Sequence, residues 1–194
     1  MTLISSDPVI SVFGSHTPKP GSSIYEMAKE LGRLLASASF TVATGGYEGT
    51  MAAVSQGAAE AGGHVIGVTS SAVQASRDVS LNKWVREEVQ YHSLQDRLNH
   101  LVTQNDGMIV LEGGIGTLSE LSLAWSLLQV REIKERPLVL MGELWKETLD
   151  VFIRAEYISE DVVGLIVVLD SPSEVVEHLV SSVGKVKMKE QHGI

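Results

Sequence analysis

Two glycine-rich segments follow short β-branched runs and contain the residue types that bind phosphate. Residues 45–50 (GGYEGT) follow the run 40–44, and residues 113–117 (GGIGT) follow the run 107–111. Each segment has paired glycines, a further glycine and then a threonine where a helix could begin. Glycine lets a ligand approach the backbone closely, and the N–H groups at a helix N-terminus favour an anion. Two such turns predict a phosphate site, although glycine is also common in βα turns that bind nothing.

A third strand end, Gly14-Ser15, lies in an equivalent position after the run 9–13. Neither glycine-rich segment is a P-loop, because neither ends in Lys-Ser or Lys-Thr, and neither matches the GxGxxG dinucleotide fingerprint. Ligands of open parallel sheets bind outside the carboxyl ends of the strands, near the point where the strand order reverses. We therefore expect the chemistry of this protein at these strand ends.

Glu120 lies three residues after Thr117, and this spacing has two interpretations. The segment 117–120 (TLSE) fits a capping box, in which the glutamate bonds back to the Thr117 amide, and the spacing alone favours this structural role. Alternatively, the carboxylate points into the cleft, where it orients or deprotonates water or stabilises developing positive charge. The sequence around Arg97, considered alone, predicts that this arginine is a solvent-exposed helix residue paired with Asp96 or another acid.

Short β-branched runs alternate with longer segments of helical periodicity along the chain. Apolar strands separated by helices indicate a parallel sheet that helices cover on both faces, so we predict a doubly wound α/β fold. The segment 70–91 has no regular pattern. The predicted strands are 9–13, 40–44, 64–69, 107–111, 137–141 and 163–169, and the predicted helices are 23–36, 50–61, 94–102, 117–130, 144–155 and 173–182.

Composition excludes several classes of function. The 194 residues include 15 Lys and Arg against 24 Asp and Glu, and this net charge of −9 argues against nucleic-acid binding. There is no cysteine, and the six histidines show neither HxxxH nor HExxH spacing, so we expect no metal site. The apolar run 162–169 is too short to span a membrane, and the N-terminus lacks the pattern of a signal peptide. We therefore predict a cytoplasmic protein that does not bind membranes.

The segment 113–120 (GGIGTLSE) resembles the PGGxGTxxE motif of the LOG ("Lonely Guy") family, the cytokinin-activating phosphoribohydrolases. Members of this family are often labelled possible lysine decarboxylases in error. Residues 12–15 (VFGS), 45–51 (GGYEGTM) and 62–68 (GGHVIGV) resemble three further motifs of the family, in the same order. Arg97, sixteen residues before Gly113, falls where the family has an arginine. The resemblance extends over about residues 9–151.

The length and the polarity of the C-terminal residues predict a single domain, residues 1–184, followed by a polar, frayed tail at 185–194. The resemblance implies that this domain is Rossmann-like and binds a nucleotide, and that the protein is a homodimer with active sites near the subunit interface. It also implies hydrolysis of the N-glycosidic bond of a nucleoside 5′-monophosphate, an AMP-like or cytokinin nucleotide, to free base and ribose 5-phosphate without a cofactor. Arg97 and Glu120 take the places of the family's catalytic pair. A carboxylate would offset the charge of an oxocarbenium-like transition state, and N–H donors with an arginine would hold the phosphate. The implied phosphate- and ribose-binding residues are Gly14, Ser15, Gly45, Gly46, Gly49, Thr50, Gly113, Gly114, Gly116 and Thr117.

Three positions depart from the family pattern. Glu112 replaces the proline before the glycine pair and adds a negative charge beside the expected phosphate site, Leu98 replaces a lysine, and Ser119 replaces a glutamate. The changes at Glu112 and Leu98 favour an alternative, a non-catalytic protein that binds or carries a nucleotide or a molybdenum cofactor. A pyridoxal-phosphate lysine decarboxylase is disfavoured, because no lysine stands at a glycine-turn strand end.

Overall fold

The seven strands form one fully parallel sheet in the order β4-β3-β2-β1-β5-β6-β7. The computed structural model describes the backbone of residues 7–192 and the side chains of residues 7–183. The strand order reverses at β1, which pairs with β2 on one side and with β5 on the other. The strands are β1 Val9–Phe13, β2 Thr41–Thr44, β3 Val65–Ser70, β4 Glu87–Tyr91, β5 Gly107–Val110, β6 Leu138–Met141 and β7 Val167–Leu169.

Helices cover both faces of the sheet, so the predicted doubly wound α/β fold is confirmed. Alternate strand residues point to opposite faces: Ile10 and Val12 belong to one buried cluster, and Phe13 belongs to the other. Helices α1, α2 and α8 contribute to the first cluster, and α4, α5 and α6 contribute to the second. The helices are α1 Ser23–Ser37, α2 Thr50–Glu60, α3 Ser71–Arg77, α4 Leu94–Thr103, α5 Ile115–Gln129, α6 Glu143–Arg154, α7 Glu160–Val163 and α8 Pro172–His192.

Two segments fold differently from the sequence prediction. The segment 70–91 contains a short helix, α3, and an edge strand, β4. The predicted strand 163–169 is wrong at its start, because Val163 ends helix α7 and β7 begins only at Val167.

The C-terminal helix is longer than the sequence pattern indicated. Helix α8 continues to His192 instead of ending at Ser182. The described part of the chain excludes the side chains after residue 183 and all of residues 1–6 and 193–194. The N-terminal segment that was compared with a signal peptide therefore lies outside it. The division into a domain of residues 1–184 and a frayed tail at 185–194 stays a prediction. Within residues 7–192, no helix combines the length and apolarity needed to cross a membrane.

Candidate active site

A cleft of about 200 Å³ opens at the carboxyl ends of the central strands, where the strand order reverses. This is the position at which doubly wound proteins bind their ligands. Its walls come from the β1–α1 loop, from the start of α2 and the turn before it, and from helices α3, α4 and α5. The lining residues are Gly14, Ser15, His16, Thr17, Tyr47, Met51, Val73, Arg77, Leu94, Arg97, Leu98, Gly114, Ile115, Gly116, Thr117, Ser119 and Glu120.

Arg97 and Glu120 form a buried ion pair in the wall of this cleft. Their side chains are 8% and 9% exposed, and Arg97 Nη1 lies 3.6 Å from Glu120 Oε1. The Arg97 Nε–H donates to the Val68 carbonyl at 2.8 Å, and the guanidinium lies 5.6 Å from the centre of the Tyr47 ring. Arg97 is therefore held from several sides and fixes one edge of the Glu120 carboxylate.

The surroundings of Glu120 change its acidity. Burial raises the pKa of the Glu120 carboxyl from 4.5 to about 7, and the positive charge of Arg97 opposes this rise. A carboxyl group with such a pKa exchanges its proton readily near neutral pH, which is the property that a general acid or base requires.

The capping-box interpretation of Glu120 is wrong, because α5 begins earlier than its sequence predicts. The N-cap is Gly114, which has no side chain to bond the first turn, and Leu118 N–H donates to its carbonyl at 3.0 Å. Thr117 is thus the third residue of the helix and not its cap. The N–H groups of Ile115, Gly116 and Thr117 precede the first bond of the helix, so they are the donors that an anion at this end would use.

Space for such an anion exists beside the start of α5. A Cβ atom added to Gly114 or to Gly116 would meet no atom within 4 Å. Thr117, by contrast, is 3% exposed and packs against Gly113, where an added Cβ would lie 2.2 Å from the Thr117 hydroxyl oxygen. The backbone here is open to a ligand on the side of Gly114 and Gly116.

The turn 45–50 has a packing role that the sequence pattern did not indicate. The Thr50 N–H and hydroxyl both donate to the Ser15 carbonyl, at 2.8 and 3.1 Å. Gly49 has a φ of +71°, and an added Cβ would lie 2.2 Å from the same Ser15 oxygen. The turn therefore holds the β1–α1 loop in position.

The structure brings seven of the predicted site residues to the cleft, and the other five do not line it. Gly14, Ser15, Arg97, Gly114, Gly116, Thr117 and Glu120 line the cleft, whereas Gly45, Gly46, Gly49, Thr50 and Gly113 do not. Tyr47, Met51, Val73, Arg77, Leu94 and Leu98 also line it, and the sequence analysis did not propose them as site residues. Of these, Val73 and Arg77 lie on α3, which showed no helical pattern.

Glu112 does not add its charge to the cleft as expected. Its carboxylate accepts the Leu144 N–H at 3.0 Å, at the N-terminus of α6. The N-cap of α6 is Gly142, which provides no side-chain acceptor, and Glu112 supplies one from the end of β5. This departure from the family pattern therefore has a structural explanation, since a carboxylate is favourable at a helix N-terminus.

Neither a cluster of metal-ligand side chains nor a lysine in the cleft is found among the residues that the structure describes. No three side chains of the His, Asp and Glu types come together there as metal ligands would. No lysine is among the described residues that line the cleft. These residues therefore do not fit a Schiff-base cofactor.

The sheet and the cleft at its switch point define a Rossmann-like α/β protein, and comparison with known proteins identifies the family. The family model described as "Possible lysine decarboxylase" matches residues 51–179, more than half of the chain, and the protein belongs to this family. It is 30% identical over 176 residues to a probable cytokinin riboside 5′-monophosphate phosphoribohydrolase of rice (LOGL6, Oryza sativa subsp. japonica), covering 88% of this chain and 69% of the relative. It is also 30% identical over 133 residues to a cytokinin riboside 5′-monophosphate phosphoribohydrolase of Mycobacterium tuberculosis, covering 63% and 65% of the two chains. The resemblance to the LOG family is thus confirmed.

Solved structures with the same fold include proteins of another function. The molybdenum cofactor binding protein of Rippkaea orientalis superposes with a TM-score of 0.71 at 25% identity, covering 90% of this chain and 96% of the other. The molybdenum cofactor carrier protein of Chlamydomonas reinhardtii superposes with a TM-score of 0.65 at 26% identity, covering 91% and 99%. These similarities confirm the fold.

Proposed function

We propose that the protein is an enzyme that hydrolyses the N-glycosidic bond of a nucleoside 5′-monophosphate, releasing the free base and ribose 5-phosphate. The observation that carries this proposal is the buried Arg97–Glu120 pair, which lies in one cleft with the open N-terminus of α5. The names of the rice and mycobacterial relatives support the same reaction.

The N-terminus of α5 is the proposed phosphate site. Its N–H groups and the positive end of the helix dipole attract an anion, and Ser15 and Thr117 line the same cleft. This local attraction is necessary because the chain has a net charge of −9 and repels an anionic substrate at long range.

Glu120 is the proposed catalytic base and electrostatic stabiliser. In the reaction, the bond between C1′ and the base nitrogen breaks, and the base leaves with the bonding electron pair and takes up a proton from solvent. The oxygen of a water molecule bonds to C1′, and the Glu120 carboxylate accepts a proton from that water. Glu120 afterwards returns to solvent the proton that it accepts from the attacking water. The same negative charge offsets the positive charge of the oxocarbenium-like transition state. Arg97 positions the carboxylate through the 3.6 Å contact and keeps part of the Glu120 population ionised.

The test is to quantify free base and ribose 5-phosphate released from AMP, GMP, CMP and isopentenyladenosine monophosphate across a range of pH. We expect release from at least one nucleotide, with kcat rising as the pH increases through about 7, because the proposed base must be ionised and burial raises its pKa to about that value. A profile that is flat between pH 5.5 and 8.5 would contradict the role of Glu120 as the base.

A carrier of a phosphate-bearing cofactor is the second candidate, supported by the similarity to the molybdenum cofactor proteins. The same assay distinguishes the two. Nucleotides that bind the protein but release no base at any pH would favour a carrier.

We also propose a homodimer, in which the apolar face of α5 and α6 is covered by a second copy. A groove of about 510 Å³ on this face is lined by Trp125, Trp145 and Phe152, with Tyr157 and Leu118 at its side. Phe152 and Tyr157 remain 45% and 88% exposed beside the groove, and a contiguous apolar patch of this kind marks an interaction surface. Helix α5 contributes to both features, since Leu118 lines the groove and Glu120 lines the cleft. A cytoplasmic location stays a prediction.

Light scattering should therefore give twice the chain mass of 20.9 kDa at micromolar concentration. Phe152→Glu should give the monomer mass, because it places a charge in a desolvated interface. Val180→Glu is the matched control: Val180 is 52% exposed on α8, which packs on the opposite face of the sheet, and the variant should remain dimeric. A monomeric mass for the unmodified protein would overturn the proposed dimer.

A further inference from the structure

The cleft has one end suited to an anion and one apolar end. The start of α5 supplies backbone donors at the first end. Helix α3 follows β3, which is separated from β5 by two strands, so its Val73 lies on the side of the cleft away from the start of α5. Leu94 and Leu98 of α4 and Met51 are further apolar lining residues. A nucleotide with its phosphate at α5 and its C1′ at Glu120 would place its base against α3 and α4.

Arg77 is the charged residue at the apolar end. It lies four residues after Val73 on α3, so both side chains share one helix face, and both line the cleft. Arg77 is exposed and makes no hydrogen bond or ion pair with any residue of the described chain. Arg97, the other arginine of the cleft, is already engaged by Glu120 and the Val68 carbonyl. Arg77 therefore has its full set of donors available to a ligand.

We propose that Arg77 contacts the base and selects 6-oxopurine nucleoside 5′-monophosphates, with guanine or hypoxanthine as the base, over the adenine nucleotide; this inference rests on the proposed function above. A 6-oxopurine presents two acceptors side by side, O6 and N7, which match the two parallel N–H groups of a guanidinium. Adenine presents N7 beside an amino group, so one arginine donor would face another donor.

Apart from hydroxyl groups such as those of Tyr47 and Ser119, the cleft offers few acceptors to an exocyclic amino group. Among the described lining residues, the only carboxylate is that of Glu120, which Arg97 already contacts. The apolar side chains of Val73, Leu94 and Leu98 have no acceptor atoms.

The experiment compares kcat/KM for GMP, IMP and AMP in the unmodified protein, in Arg77→Gln and in Arg77→Glu. We expect the unmodified protein to prefer GMP and IMP over AMP by about tenfold or more, the range of a bidentate arginine contact. Arg77→Gln should lose this preference and raise AMP turnover, because the glutamine amide can donate to the adenine N7 and accept from its amino group. Arg77→Glu should favour AMP, because a carboxylate accepts from the adenine amino group.

The matched control is Arg86→Gln, which removes another exposed arginine that lies outside the cleft and should leave kcat/KM for GMP, IMP and AMP unchanged.

Calorimetric binding of the same nucleotides to the unmodified protein and to Arg77→Gln is measured in parallel. If the unmodified protein binds GMP and IMP more tightly than AMP and Arg77→Gln removes this difference, the inference is supported. This holds even if no nucleotide is hydrolysed, because that result contradicts only the proposed hydrolysis. If Arg77→Gln lowered kcat/KM and binding affinity equally for all three nucleotides, Arg77 would be a phosphate contact and the inference would be overturned. Preference for AMP by the unmodified protein would overturn it as well, while the hydrolase function stands.

Discussion

Replacing Glu120 with glutamine is expected to lower base release by about a thousandfold while the nucleotide still binds. The amide cannot accept a proton from water at neutral pH and has no charge to offset the oxocarbenium-like state, and the loss of a general base costs roughly 10²–10⁴ in rate. Glutamine has nearly the same shape, so the phosphate donors at the start of α5 remain in place. Base release by chromatography and nucleotide binding by calorimetry measure the two effects separately.

Glu112→Gln is the matched control for this variant. Glu112 lies in the connection between β5 and α5, the helix that carries Glu120. Its carboxylate accepts the Leu144 N–H at the start of α6 and does not line the cleft. We expect turnover within about twofold of the unmodified protein and a loss of stability of about 1 kcal/mol, the usual value of a helix-terminal carboxylate. A Glu120→Gln variant that retained most of its turnover, beside an active Glu112 control, would refute the catalytic role of Glu120.

The position of Glu120 shows why sequence spacing could not decide between a cap and a catalytic group. The TLSE segment satisfies the capping pattern, but Gly114 takes the N-cap position three residues earlier and leaves Glu120 in the second turn. Its partner Arg97 comes from α4, and the pairing exists only because α4 and α5 pack together. Only the family resemblance indicated this pair before the structure was known.

The periodic parts of the fold were predictable, and the site wall contributed by α3 was not. Strands β1, β2, β3, β5 and β6 are mostly buried and consist of apolar and β-branched residues, so their pattern is plain in the sequence. Helix α3 has no buried residue, and β4 is a largely exposed edge strand. Neither shows apolar periodicity, and Arg77 could therefore not be assigned to the cleft.

The two glycine turns look alike in sequence but serve different purposes in the structure. The turn 113–117 presents open backbone to the cleft, whereas the turn 45–50 is filled by parts of the protein itself. Thr50 bonds to Ser15, 35 residues away, and the space beside Gly45 is occupied by the side chain of Arg97. Contacts between residues so far apart in the chain leave no local signal.

The contact between Gly45 and Arg97 suggests a way to displace the arginine without removing it. A Cβ at Gly45 would lie 2.0 Å from Arg97 Nη2 and 2.7 Å from Met51 Sδ, distances that atoms cannot keep. Both of these atoms lie near the ends of flexible side chains, so they can move while the backbone stays. Gly45 has no positive φ that would strain an alanine. The change therefore acts on the guanidinium position and only weakly on the fold.

Gly45→Ala is thus expected to lower turnover about a hundredfold, with a shift in melting temperature of only a few degrees. The displaced guanidinium no longer fixes the Glu120 carboxylate, and a misplacement of about 1 Å in a catalytic site typically costs a factor near 10². The control is Gly164→Ala, because an added Cβ there lies no closer than 3.4 Å to any atom and Gly164 is remote from the cleft residues. If Gly45→Ala turned over as fast as this control, the position of Arg97 would be irrelevant to the chemistry; if it unfolded instead, Gly45 would be needed for the fold itself.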